Sequence, residues 1–161
     1  MKNIIAIIWD FDKTLIDGYM QDPIFKDYNV NPHEFWTEVN ALPKKYKEEQ
    51  HVKVNPDTIY LNQFIRYAQS GKFDGLNNAK LKSYGSRQNF YAGIPEIFKH
   101  TKEMLKNDPV CEEYNIKVEH YIVSTGFAEV IRGTELMNYV ENIWGCELIE
   151  DEEHKIINEI G

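Results

Sequence analysis

Ile4-Ile5-Ala6-Ile7-Ile8-Trp9-Asp10-Phe11-Asp12-Lys13-Thr14-Leu15 is the stretch on which the fold turns. Its apolar run is largely β-branched and does not alternate, the pattern of a strand buried on both faces of a parallel sheet. The run ends in two carboxylates, Asp10 and Asp12, separated by one residue. Ligands in α/β folds gather at the carboxyl edge of the sheet, where these acids are expected. A carboxylate there can attack phosphorus to give an acyl-phosphate, and a second can protonate the leaving oxygen and then take a proton from water. Two acids also suit a hard cation, and Mg²⁺ is the usual one beside phosphate. Asp-x-Asp alone is common as a turn cap. The apolar strand before it and Lys13-Thr14-Leu15 after it favour chemistry.

A second element has the same form. Val118 to Val123 reads as a strand, followed by Ser124-Thr125-Gly126-Phe127 and a helix start near Gly126. Hydroxyls and free backbone N–H groups at a helix start make an anion site. Taken alone, Ser124 and Thr125 would be a helix cap. Beside the first element, phosphate contact by Ser124, Thr125 and Gly126 is favoured.

Between these elements the pattern is helical. From about residue 20 to about residue 90 there is almost no strand signal. Asn31-Pro32 and Asn55-Pro56 each read as an N-cap with proline at the first helical position. Ile59, Phe64, Ile65 and Ala68 fall near one helical face, and Gly71 follows as a stop. Pro43 is expected to break or kink the first helix. A shorter helix is expected over Asn78 to Tyr84. Alternation then resumes, with a helix after Gly93-Ile94-Pro95, the strand at Val118, and a short third strand over Gly145 to Ile149. Strand, crossover helix and strand in this order imply an α/β parallel sheet.

Composition narrows the partners. The net charge of −8 repels nucleic-acid phosphates, so nucleic acid is not expected. No apolar segment is long enough to span a membrane. The start Met1-Lys2-Asn3 and its apolar run superficially resemble a leader, but the run is short and ends in acids. A cytoplasmic location follows by elimination. Cys111 and Cys146 read as reduced structural thiols.

Asp10-Phe11-Asp12-Lys13-Thr14-Leu15 resembles the first signature of the haloacid dehalogenase-like (HAD) hydrolase superfamily, and Val123-Ser124-Thr125-Gly126-Phe127 resembles the second. Tyr91-Ala92-Gly93-Ile94-Pro95-Glu96 is similar to the segment that re-enters the core after a cap, and the flavour is that of the phosphoserine phosphatase-like subgroup. The resemblance implies a Rossmann-like core over residues 1–17 and 91–161, carrying the first three strands, with a helical cap over 18–90. It implies Asp10 as nucleophile and Mg²⁺ ligand. Asp12 would be the general acid and base, with its backbone carbonyl on the metal, and Ser124 would hold a phosphate oxygen. The implied activity is Mg²⁺-dependent hydrolysis of a small phosphorylated metabolite through an aspartyl-phosphate. A non-catalytic phosphate-binding or regulatory module, or an inactive fragment, is the alternative.

One departure bears on this. The family also uses a lysine on a later helix and acids after a fourth strand, and neither is found. Lys155 comes too early, and Asp151, Glu152 and Glu153 read as a solvated turn. The chain is therefore expected to be incomplete at its C-terminal end, leaving the first strand as an edge for a second copy or a further segment to cover. The five histidines show no ligand spacing, Tyr60 and Tyr67 read as packing, and Arg66 and Arg87 as surface charges.

Overall fold

A computed structural model describes residues 3–161. Met1 and Lys2, part of the leader-like start, lie outside the described residues. Strand β1 (Asn3–Trp9) pairs in parallel with β2 (Ile116–Phe127), and β2 pairs in parallel with β3 (Asn142–Cys146), so the order is β1-β2-β3. A mixed α/β architecture on a parallel sheet is what the alternating pattern dictates.

The helical block comprises α1 (Asp22–Asp27), α2 (Pro32–Gln50), α3 (Ile59–Gln69), α4 (Asn78–Ser83) and a 3₁₀ turn over Tyr84–Arg87. The chain enters and leaves this block side by side. Ile16 bridges Phe90, the Asp17 N–H donates to the Asn89 carbonyl at 2.7 Å, and the Tyr91 N–H donates to the Leu15 carbonyl at 3.1 Å. After it come α5 (Glu96–Lys106) and α6 (Pro109–Glu113) before β2, then α7 (Ala128–Arg132) and a 3₁₀ turn over Glu135–Asn138 before β3.

An aromatic core joins the block to the sheet. Phe25, Phe35, Phe64 and Phe73 are fully buried together, and Phe64 meets Phe127 at the end of β2 with ring centroids 4.9 Å apart. Each such side chain contributes about 1.5–3 kcal/mol by leaving water. On the sheet face toward α5, His120 is fully buried among Trp9, Phe98 and Thr101. The Trp9 indole N–H donates to His120 Nδ1 at 3.1 Å, which leaves Nε2–H to face the Thr101 hydroxyl at 2.9 Å.

Several local expectations are corrected. Pro43 lies inside α2, which continues to Gln50. The missing N–H leaves a ladder bond unmade, at about 3 kcal/mol or more, and burial of Phe35, Val39 and Leu42 offsets it. Asn31 does cap α2, accepting from the His33 N–H. Asn55 instead closes a turn onto the Asp57 N–H at 2.9 Å, and α3 begins later, at Ile59. The third strand is Asn142–Cys146 rather than 145–149. Beyond it β4 (Leu148–Glu150) and β5 (Ile157–Ile160) form an antiparallel pair, where the sequence pattern suggests only an acidic tail with an apolar turn. That pair packs on the helical block, with Ile157 N–H on the Leu76 carbonyl and Asn78 Nδ2 on the Leu148 carbonyl. Strand β1 is not buried on both faces. It is an edge strand, with Ile8 66% and Ile4 48% exposed.

Candidate functional site

The register places the two sequence elements together. Trp9 is the partner of Ile122, so Asp10, just past β1, and Ser124, within β2, stand toward the same end of neighbouring parallel strands. The loop after β1 is a tight turn: the N–H groups of Thr14, Leu15 and Ile16 converge on the Phe11 carbonyl, and Lys13 takes a left-handed conformation, φ 57°. Phe11, Leu15 and Ile16 are buried and anchor the loop, which leaves Asp10 exposed and Asp12 partly buried.

The two carboxylates have different surroundings. Asp10 Oδ2 accepts from the Thr14 hydroxyl at 3.3 Å. Asp12 Oδ1 accepts from the Met20 N–H at 2.8 Å. Burial pushes the Asp12 carboxyl up to about 6, with Asp10 and Asp22 adding repulsion and the Met20 N–H opposing. An acid held near neutrality beside an exposed carboxylate can donate and accept a proton in one cycle.

Ser124, Thr125 and Gly126 lie in the last part of β2, and of the three Thr125 lines a cavity together with Asp12. The Gly126 N–H donates to Ser124 Oγ at 3.0 Å, and the Phe127 N–H faces Met20 Sδ at 3.1 Å. These two N–H groups are thus occupied rather than free, and α7 starts two residues later than expected, at Ala128. The Ser124 hydroxyl keeps its own hydrogen for an oxygen ligand. A Cβ at Gly126 would lie 2.3 Å from Met20 Cε, so the Met20 side chain would have to shift to admit one.

A cavity of about 360 Å³ opens between helical block and sheet, with Asp12 and Thr125 in its lining. The helical block contributes Gln21 and Trp36, which the sequence pattern does not single out, and Tyr60, which it reads as packing. Tyr60 does more than pack, because its hydroxyl donates to the Thr125 carbonyl at 3.1 Å. Periodicity marks Tyr60 and Trp36 as aromatic helix positions and nothing more. Arg66 bonds the Tyr46 hydroxyl and Arg87 pairs with Asp27, so neither lines this cavity. Lys155 is paired with Glu153 on the surface, and Asp151 caps the Lys155 and Ile156 N–H groups. Among the described residues no group of three or more His, Cys, Asp or Glu side chains is arranged to hold a metal ion, and no helix is long and apolar enough to cross a membrane. Cys111 and Cys146 are free thiols.

No protein-family profile matches the chain. An uncharacterized protein of Borreliella burgdorferi is 37% identical over 149 residues, which is 92% of this chain and 51% of that protein. The chain thus spans about half the length of the curated relative it matches. Among solved structures, a phospho-aspartyl intermediate analogue of phosphoserine phosphatase superposes with a TM-score of 0.61 at 19% identity, covering 99% of this chain and 63% of that one. A substrate-bound phosphoserine phosphatase complex gives 0.59 at 16% identity, over 99% and 62% of the two chains. A HAD family hydrolase from Salmonella enterica serovar Typhi gives 0.58 at 15% identity, over 99% and 45%. With its parallel sheet, its helical block between β1 and β2, and its paired acids after β1, the chain has the fold of the HAD family hydrolases and phosphoserine phosphatases.

Proposed function

We propose that this chain carries the phosphoryl-transfer site of a HAD-type phosphohydrolase that cleaves small phosphate monoesters. The observation that carries the reading is the unequal pair of acids, exposed Asp10 and half-buried Asp12, at the end of the sheet where β2 carries Ser124. Asp10 attacks phosphorus and the P–O bond to the alcohol breaks, with Asp12 giving its proton to the departing oxygen. Asp12 then removes a proton from water as the water attacks the Asp10 phosphoryl group, releasing phosphate and restoring Asp10. Ser124 donates a hydrogen bond to a non-bridging phosphoryl oxygen.

The donor set fits a weakly held Mg²⁺. Asp10 and the Asp12 carbonyl offer oxygen ligands only, and Mg²⁺ retains several waters in such sites. When bound, Mg²⁺ neutralises charge between Asp10 and the phosphate. Lys13 in this loop is held over the Tyr19 ring at 4.2 Å from its centroid. A loop cation already engaged on the Tyr19 ring favours a second reading, a phosphate-binding module without turnover.

Hydrolysis of p-nitrophenyl phosphate with Mg²⁺ separates the two. Turnover that vanishes in Asp10→Asn, with an unchanged circular dichroism spectrum, supports the enzyme. Binding of a beryllofluoride phosphoryl mimic without turnover supports the module. Asp10→Asn retaining activity within severalfold of the parent would remove Asp10 as nucleophile.

A further inference from the structure

Among the described residues β1 has one strand neighbour, β2, so its last residue, Trp9, is held in the sheet from one side. The next residue is Asp10. A chain of hydrogen bonds fixes the Trp9 side chain. Its indole N–H donates to His120 Nδ1 at 3.1 Å, His120 Nε2 lies 2.9 Å from the Thr101 hydroxyl oxygen, and the Thr101 hydroxyl donates to the Ile97 carbonyl at 2.8 Å. Indole is a donor only, so Nδ1 is the bare nitrogen and Nε2 carries the hydrogen. Thr101 spends its own hydrogen on Ile97 and accepts at its oxygen. One form of the ring, the neutral Nε2–H tautomer, satisfies every link.

The ring is fully buried, with its centroid 4.9 Å from that of Phe98 and 6.1 Å from that of Trp9. Strands β1 and β3, which flank β2, contain no charged residue. Burial disfavours a proton on the ring and Lys102 of α5 acts the same way, while the Phe98 carbonyl and Glu141, just before β3, oppose. Lys102 and Glu141 pair with each other at 3.2 Å. A proton added at Nδ1 would set two N–H groups face to face, and the Trp9 bond would be lost.

We infer that His120 is a positioning residue for the reaction: through the Trp9 indole it fixes the end of β1, and so the approach of Asp10 to phosphorus. The neutral ring is the working form, and a proton on it releases Trp9. A misplacement of about 1 Å at a reacting group can cost about 10²-fold in rate, so a bond held by the adjoining residue matters to chemistry. The inference rests on the phosphohydrolase reading above, and the experiment tells the two apart.

kcat and KM for p-nitrophenyl phosphate with Mg²⁺ are measured across pH for the parent, Trp9→Phe and His120→Gln. Trp9→Phe keeps a ring against Phe98 and removes the donor. Its kcat should fall about tenfold with KM little changed, because the bond places a nucleophile and holds no substrate. His120→Gln keeps an acceptor for the indole and takes up no proton, so its kcat above about pH 7 should stay near the parent's. Asp12 titrates in both proteins, so the ratio of parent to His120→Gln isolates the imidazole. That ratio should decline as pH falls below about 6.5, where a proton enters the parent's ring alone. The Trp9 indole N–H resonance, identified by its loss in Trp9→Phe, should move with pH in the parent and stay fixed in His120→Gln. A Trp9→Phe kcat equal to the parent's, a ratio flat with pH, or an indole signal that ignores pH would overturn the positioning role and leave the phosphohydrolase standing. If Trp9→Phe does not fold, the ratio decides alone. A parent without turnover ends the enzyme reading. The beryllofluoride dissociation constant then replaces kcat in each comparison, and equal or absent binding ends the positioning role as well.

Discussion

The Tyr60 hydroxyl donates to the Thr125 carbonyl at 3.1 Å, so a helix of the insert is tied by one bond to the last part of β2. Burial keeps the Tyr60 phenol protonated and able to donate. Tyr60→Phe removes that bond while keeping the ring packed on Trp36 and Phe64. A loss of about 0.5–1.5 kcal/mol is expected, read as a lower urea midpoint with unchanged slope. KM for phosphate esters should rise more than kcat falls. An unchanged midpoint would show that the bond holds nothing together.

Asp12→Asn keeps an acceptor for the Met20 N–H but cannot deliver a proton. Turnover of alkyl phosphates should fall by roughly 10² or more. p-Nitrophenyl phosphate, whose leaving group needs less protonation, should suffer less in its first step. Equal, small losses for both ester types would take the acid role away from Asp12.

Gly133 sits where α7 meets the 3₁₀ turn after α4. A Cβ there would lie 1.8 Å from the Lys82 carbonyl oxygen and 3.1 Å from Gly85 Cα. Both contacts are backbone, so neither can swing away. Gly133→Ala should cost about 1–3 kcal/mol, as overpacked sites do. Thermal unfolding would register this as a clear drop in Tm, and a Tm equal to the parent's would mean that the two segments can separate freely.

Burial holds the His120 imidazole below its ordinary value of 6.5, with the Lys102 charge acting in the same direction. Below that ordinary value the unfolded chain takes up a proton that the folded chain refuses. Stability is therefore present above about pH 6.5 and falls with pH, by about 1.4 kcal/mol per unit, until the folded group also titrates. Urea titrations at pH 7.5 and 5.5 should differ for this reason. His120→Gln, which can still accept from Trp9, should narrow the gap, and an equal gap in the variant would clear His120 of the effect.

Strand β1 presents Ile4 and Ile8 on a sheet face that also carries Val123 and Trp144, 46% and 52% exposed. An apolar edge and face of this kind favour pairing with another chain. Light scattering at rising concentration should show self-association of the chain alone. Ile8→Lys, which places a charge at the most exposed position, should reduce it. A parent that stays monomeric at high concentration would rule this out.

The residues from Ile4 to Thr14 determined the strand, its parallel setting and the place of Asp10 and Asp12, because an unbroken apolar run and the polar residues that stop it are local signals. The same holds for the strand that carries Ser124 and for Asn31 capping α2. Tertiary structure alone decided the rest. Pro43 remains within a helix because packing of Phe35, Val39 and Leu42 outweighs a missing N–H. β4 and β5 form where a tail rich in acids finds Leu76 and Asn78 to bond against. Tyr60 gives its hydrogen to Thr125 only because the fold brings together two residues 65 positions apart in the chain. Periodicity reports how one segment faces a core, and it carries no information on which remote side chain occupies the other end of a hydrogen bond.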